Sequence, residues 1–219
     1  DTVIESTTEG TYVYKCTIND SAFEGDTSLS LVRLSENIVK IGSYAFNKCT
    51  SLTGLILPER VTQLGRRIIG ETAISSIMVP KNVISAGDRD GGAFSGTVSL
   101  KSISFEEGME KIPSYVCYAG GNVSYIASVN IPDTVNEIGS YAFKDCIALK
   151  TLEVSDNIKE IDYAAFYGCK GLTTIKIGSK DRRDESAISE LTVKQVTNKS
   201  SELKLDWKLS GENYTTIYN

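Results

Sequence analysis

Histidine is absent from all 219 residues. That removes the commonest general base, the commonest metal ligand and the usual partner of a catalytic serine or cysteine. A lysine or carboxylate could still serve, so the absence weighs against catalysis without forbidding it. Basic charge is also short: 23 Lys and Arg face 28 Asp and Glu, a net charge of -5. A nucleic-acid-binding face would want the opposite balance. No apolar run approaches the roughly 18 residues of a membrane span. The five cysteines, Cys16, Cys49, Cys117, Cys146 and Cys169, are odd in number and form no CxxC pair. Neither a zinc site nor a complete disulfide framework is indicated. The chain opens at Asp1 without a leader pattern, as expected of a mature or trimmed form.

What is present is a repeat. Residues 126–148 and 149–171 share one apolar skeleton. Val129 falls on Leu152, Ile131 on Val154, Val135 on Ile158, Ile138 on Ile161, Phe143 on Phe166 and Cys146 on Cys169, always 23 apart. A strand template L-x-x-I-x-I starts at Leu29, Leu52, Ile74, Leu100, Ile126, Leu149 and Leu172, with spacings of 23, 22, 26, 26, 23 and 23. A second landmark, the residue after Ala in A-F, runs Phe23, Phe46, Ile69, Phe94, Cys117, Phe143, Phe166. Two landmarks on one period define a repeat array.

Each part of the repeat has a physical meaning. L-x-x-I-x-I alternates with period two, so it predicts a short strand with one buried face. Pro58, Pro80 and Pro132 follow it directly and stop ladder pairing, because proline has no N–H. A second apolar pair, V-x-x-I, leads to Gly42, Gly65 and Gly139, where a turn is cheap. A-F-x-x-C-x-x-L then places three apolar groups at helical spacing, which predicts about two helical turns at most. A single repeat cannot bury these faces, whereas stacked repeats can.

The pattern L-x-x-I-x-I-P-x-x-V-x-x-I-G-x-x-A-F-x-x-C-x-x-L resembles the 23-residue leucine-rich repeat of the BspA-like, or Treponema, type. The likeness covers roughly residues 12–178 and is clearest over 126–171 and 29–51. Repeat two departs with Ile68-Ile69 and repeat four with Val116-Cys117; both substitutes are apolar. The resemblance implies a secreted or surface protein of bacteria whose repeats serve adhesion or binding. The expected fold is a right-handed leucine-rich-repeat solenoid of the α/β type. It has a parallel concave sheet, short helical turns on the convex side and a small antiparallel β element at the C-terminus. The expected divisions are 1–28, an N-terminal cap with a partial repeat; 29–179, the solenoid; and 180–219, a C-terminal β cap or the start of a further domain. Seven strands about 4.8 Å apart would span roughly 30 Å.

The pattern is broken in two places. Repeat three carries extra length in 85–92 and repeat four in 118–125, three residues each and both rich in glycine. Insertions in solenoids map to surface loops, and these two fall in adjacent frames. Tyr115, Tyr118 and Tyr125 flank the second and could stack a sugar or grip a protein. Asp88 and Asp90, with Glu106 or Glu107, match no calcium loop and read as solvated charge. Cys146 and Cys169 stack within disulfide reach, but a small apolar ladder of free thiols is the plainer account.

Outward positions of the predicted concave sheet form two columns. One reads Arg33, Ile56, Met78, Ser104, Asn130, Glu153, Lys176; its neighbour reads Leu31, Gly54, Ser76, Ser102, Ser128, Thr151, Thr174. Leu31, Ile56 and Met78 come together at the N-terminal end, an apolar patch of the kind that marks contact sites. The candidate binding surface is therefore Leu31, Arg33, Ile56, Met78, Ser104, Asn130 and Glu153, with Tyr118 and Tyr125 on the second insertion. No catalytic, metal or cofactor site is expected, and no cofactor. The expected partner is a protein or glycan of a host or neighbouring cell, not nucleic acid, with no membrane insertion. The function expected is a non-catalytic binding or adhesion module; the alternative is a spacer or accessory domain of a larger surface protein or enzyme.

Overall fold

In a computed structural model, the backbone is described for residues 2–6, 12–155, 157–172, 174–177, 192–193, 204–208 and 214–217, and side chains for 15–155 and 157–172. The first half of the chain contributes β1 (Thr2–Ser6), β2 (Tyr12–Ile18), β3 (Leu31–Arg33), β4 (Ile38–Ile41), β5 (Gly54–Ile56), β6 (Gln63–Leu64), β7 (Ser76–Val79), β8 (Ser85–Asp88) and β9 (Gly91–Gly92). The second adds β10 (Ser102–Phe105), β11 (Lys111–Ile112), β12 (Ser128–Asn130), β13 (Glu137–Ile138), β14 (Thr151–Val154), β15 (Glu160–Ile161) and β16 (Thr174–Ile177). Thr192–Val193 is β17, Lys204–Lys208 is β18 and Tyr214–Ile217 is β19.

The chain winds as a parallel solenoid of about six coils. The L-x-x-I-x-I strands pair parallel and in the expected register within three groups, β3 with β5, β7 with β10 and β12, and β14 with β16: Arg33 with Ile56, Met78 with Ser104, Ser104 with Asn130, Glu153 with Lys176. A second ladder was not expected. The V-x-x-I segments are strands too, with β2, β4, β6 and β8 running along one flank and β11, β13, β15 and β17 continuing it. The glycines after these strands have a different role from the one expected. A β-carbon at Gly139 would press on the Ser114 amide and the Ile112 carbonyl. Close approach of the preceding coil, not turn conformation, demands glycine there.

The expected helical turns are not observed: no helix occurs among the described residues. A-F-x-x-C folds instead as successive tight turns with left-handed residues four apart. Tyr44 and Lys48 have φ of 60° and 62°, and Tyr141 and Asp145 have 57° and 63°. Alternate amides then point to the neighbouring coil. The N–H groups of Tyr44, Phe46 and Lys48 donate to the carbonyls of Arg66, Ile68 and Gly70. In a helix those donors would be satisfied four residues back; here they tie one coil to the next.

The core is one continuous ladder. Phe46, Phe94, Phe143 and Phe166 are fully buried, and Ile69 and Cys117 fill the same column where phenylalanine is missing. Phe143 and Phe166 stack at 5.5 Å, and Phe23 and Phe46 at 5.3 Å.

At the N-terminus β1 runs antiparallel to β2, and β2 joins β4 in parallel. At the other end β17 extends the flank ladder beside β15, and β18 extends the concave ladder beside β16, both in parallel. Only β19 turns back antiparallel, onto β18. The charged segment 180–185 lies outside the described residues.

Candidate functional site

The concave sheet presents its outward columns as the repeat spacing requires. Leu31, Ile56 and Met78 are 58%, 70% and 54% exposed. Gly54 lies opposite Leu31 on the strand that carries Ile56, and a β-carbon there would come within 3.1 Å of the Leu31 Cδ1. Its absence lets the leucine lean across the neighbouring strand. Arg33, Asn130 and Glu153 are exposed and Ser104 is half-buried. The face thus grades from apolar in the first three coils to small and polar in the last three. Leu31 and Arg33 also border a cavity of about 420 Å³ that reaches Phe23 and Phe46.

Tyr118 and Tyr125 do not share a site. Tyr125 lies under the Lys101 ammonium, 4.9 Å from the ring centre. Tyr118 belongs to a larger cluster on the turn face of coils four to six. Tyr115 stacks on Tyr141 at 5.3 Å, and Tyr141 meets Tyr163 edge-on at 5.4 Å. Lys144 Nζ sits 4.4 Å from the Tyr118 ring, 5.4 Å from Tyr141 and 5.6 Å from Tyr167, and it donates to the Tyr118 hydroxyl at 3.3 Å. Cation–π attraction of this kind holds a cluster together. Sequence reasoning missed Tyr141, Tyr163, Tyr167 and Lys144. The concave strands do not contain them; the repeat alignment over the turn segment puts Tyr44, Tyr115 and Tyr141 at one position.

The first coils carry a polar counterpart on this face. Glu24 accepts from Ser21 Oγ at 2.7 Å and from Asn47 Nδ2 at 2.7 Å, and Asn47 Oδ1 accepts from Arg67 Nε at 2.9 Å. Those hydrogen bonds, Ser21's above all, hold the Glu24 carboxyl below its ordinary range. Arg66 pairs with Asp90 at 3.1 Å and covers the Tyr44 ring at 5.4 Å.

The two insertions meet. Gly92 N–H donates to the Tyr118 carbonyl at 2.9 Å, and a β-carbon on Gly120 would strike the Asp90 carbonyl. The acidic residues do not converge. Asp88 Oδ1 accepts the Asp90 amide at 2.8 Å, Asp90 pairs with Arg66, and Glu106 accepts the Lys81 amide at 3.0 Å. Among the described residues no three metal-ligating groups gather.

The cysteine column is built from free thiols. Cys49 Sγ donates to the Phe23 carbonyl at 3.0 Å and Cys169 Sγ to the Phe143 carbonyl at 2.9 Å, each bridging to the coil before. Burial pushes the Cys49 and Cys117 thiols up. Cys169 is raised first by its hydrogen bond with Cys146 and then by burial. A thiol held protonated is a poor nucleophile.

Six copies of the BspA type leucine rich repeat region match this chain, over residues 16–127 and 121–204. The chain belongs to the BspA-type leucine-rich-repeat family. Three solved structures are similar to this chain. A leucine-rich repeat protein from T. pallidum is 24% identical, with 80% of this chain and 70% of that one covered and a TM-score of 0.47. One from Bacteroides ovatus is 17% identical, covering 88% and 74%, TM-score 0.38. A protein described as a leucine rich cell surface protein from Faecalibacterium prausnitzii is 21% identical, covering 83% and 73%, TM-score 0.33. No curated protein matches the chain. No helix of the described residues is long and apolar enough to cross a membrane.

Proposed function

We propose that this BspA-type array is a non-catalytic recognition module of a bacterial surface or secreted protein. It contacts a protein partner through the N-terminal half of its concave sheet. The observation that carries this reading is the trio Leu31, Ile56 and Met78, exposed on the outward face of the first three coils, with Leu31 and Ile56 on paired parallel strands. Large apolar side chains held in water on a rigid sheet lose free energy that a partner surface returns, at roughly 25 cal/mol per Å² buried. Arg33 pairs across the strands with Ile56, and arginine is enriched at interface hot spots. The absence of histidine and the burial of four of the five thiols favour binding over chemistry.

The test is a double substitution, Ile56→Glu with Met78→Glu. Both side chains leave the core untouched, so the melting temperature should stay within a few degrees. Capture of immobilised extracellular-matrix proteins and of host epithelial cells should fall at least tenfold. Undiminished capture by the folded variant would remove the concave face from the function.

A further inference from the structure

The flank ladder is interrupted once, between coils three and four, and a cleft of about 620 Å³ opens at the break. Three sequence features make it. The first insertion folds as the β8–β9 hairpin, so β8 turns back on itself and does not pair with β11. Pro113 stands where Gly139 stands one coil later. Gly139 N–H donates to the Ile112 carbonyl at 3.0 Å; proline has no N–H to give to coil three. Finally, Gly91-Gly92 occupies the place of Arg66-Arg67 and Ser140-Tyr141 in other coils. Neither glycine carries a side chain that could cover the Tyr115 ring, which lines the cleft, and Tyr141 stacks on that ring at 5.3 Å.

The walls have a definite chemistry. Tyr115 and Ile84 are apolar; Asp88, Arg89, Lys111 and Ser114 are polar. The lining charges cancel, with Asp88 and Asp90 against Arg89 and Lys111. Asp90 and Lys111 are already engaged with Arg66 and Glu137. Arg89 forms no ion pair among the described residues and is exposed on the hairpin. A neutral lining does not select a charged peptide or an anion. An extended peptide strand is also unsuited to this edge, since β11 is two residues long, carries a lysine and ends at Pro113; lysine and proline are the residues that block strand addition.

A pyranose meets what remains. Its C–H face suits the electron-rich face of a fixed aromatic ring. Its vicinal hydroxyls donate to a carboxylate and accept from a guanidinium. Clefts of roughly 300–1,000 Å³ are the usual size of small-ligand sites. We propose that the break between coils three and four binds the terminal pyranose of a neutral glycan, with the sugar ring on Tyr115 and its hydroxyls held by Asp88 and Arg89. This site is separate from the concave patch and does not depend on it.

The experiment is saturation-transfer-difference NMR on the whole chain. The probes are the methyl pyranosides of glucose, galactose, mannose and N-acetylglucosamine, with lactose, maltose and cellobiose. At least one probe should bind in the range of about 1 mM. Arg89→Ala, on the exposed hairpin, should weaken it at least tenfold without changing the melting temperature. Tyr115→Phe keeps the ring and should bind within about twofold of the native protein, while Tyr115→Ala should not bind measurably. The Ile56→Glu, Met78→Glu variant should bind normally. No saturation transfer from any probe at about 20 mM would overturn the proposal. So would native-strength binding by Arg89→Ala and Tyr115→Ala, or loss of binding in the concave variant alone.

Discussion

Coils five and six keep the 23-residue period, whereas coils three and four each carry three residues more. Beneath both pairs the core is the same: Phe143 and Phe166 are buried in the regular coils, and Phe94 and Cys117 in the broken ones. At the broken coils the concave strands run through without a gap, since β7 pairs with β10 and β10 with β12 in unbroken register. The extra length is absorbed entirely on the flank and turn faces, where it splits one ladder and joins the two glycine-rich loops. A solenoid can therefore change its surface locally while each coil still satisfies its neighbours in the core.

Thiol reactivity should show the largest contrast. Cys117 lies in a broken coil, and Cys146 and Cys169 in regular ones, yet all three are fully buried; Cys16 is half-buried. With a disulfide reagent under native conditions, Cys16 should react, while the buried thiols should wait for unfolding and react more slowly by at least about 10³-fold. If Cys117 reacts ahead of Cys146 and Cys169, the break reaches the core and the comparison fails.

Core substitution comes next. Phe143→Ala should cost about 3–5 kcal/mol by denaturant unfolding. Arg89→Ala, on the hairpin, should stay within about 0.5 kcal/mol. Gly139→Ala should cost about 1–3 kcal/mol, because its methyl would press on the backbone of coil four.

The turn face offers gains instead of losses. Lys48 is exposed and left-handed, with φ of 62°; Lys48→Gly should add about 0.5–1 kcal/mol. Asp145 is also left-handed, at 63°, and partial burial raises its carboxyl above the ordinary value. An acid with a raised folded pKa binds its proton more tightly when folded, so its contribution is present at low pH and lost as pH rises through that pKa. Asp145→Asn tolerates the left-handed backbone and removes the charge. It should raise the melting temperature at pH 7, with the gain shrinking in acid; a gain that does not change with pH would contradict the burial account.

The concave half of the molecule was legible in the sequence because it depends on a period-two pattern repeated seven times. Every outward residue from Leu31 to Glu153 could be placed by counting. The other half was not legible in the same way. V-x-x-I is only two apolar residues per strand, too few to separate a strand from a turn. A-F-x-x-C has helical spacing but is held by amides that reach the next coil, and a pattern within one repeat cannot reveal bonds between repeats. The cleft needed still more: Pro113, Gly92 and Tyr115 lie in different coils, and their relation appears only once the register between coils is known.

Amide hydrogen exchange followed by mass spectrometry tests the central division directly. Peptides covering 139–169 should exchange only through global unfolding, with a protection equal to the stability of the whole solenoid. Peptides covering 85–91 and 119–125 should exchange through local opening, many-fold faster, without loosening the concave strands Ser102–Phe105 and Ser128–Asn130 beside them. Uniform protection across all these peptides, or early exchange of those concave strands, would contradict the view that the breaks are confined to the surface of an otherwise continuous core.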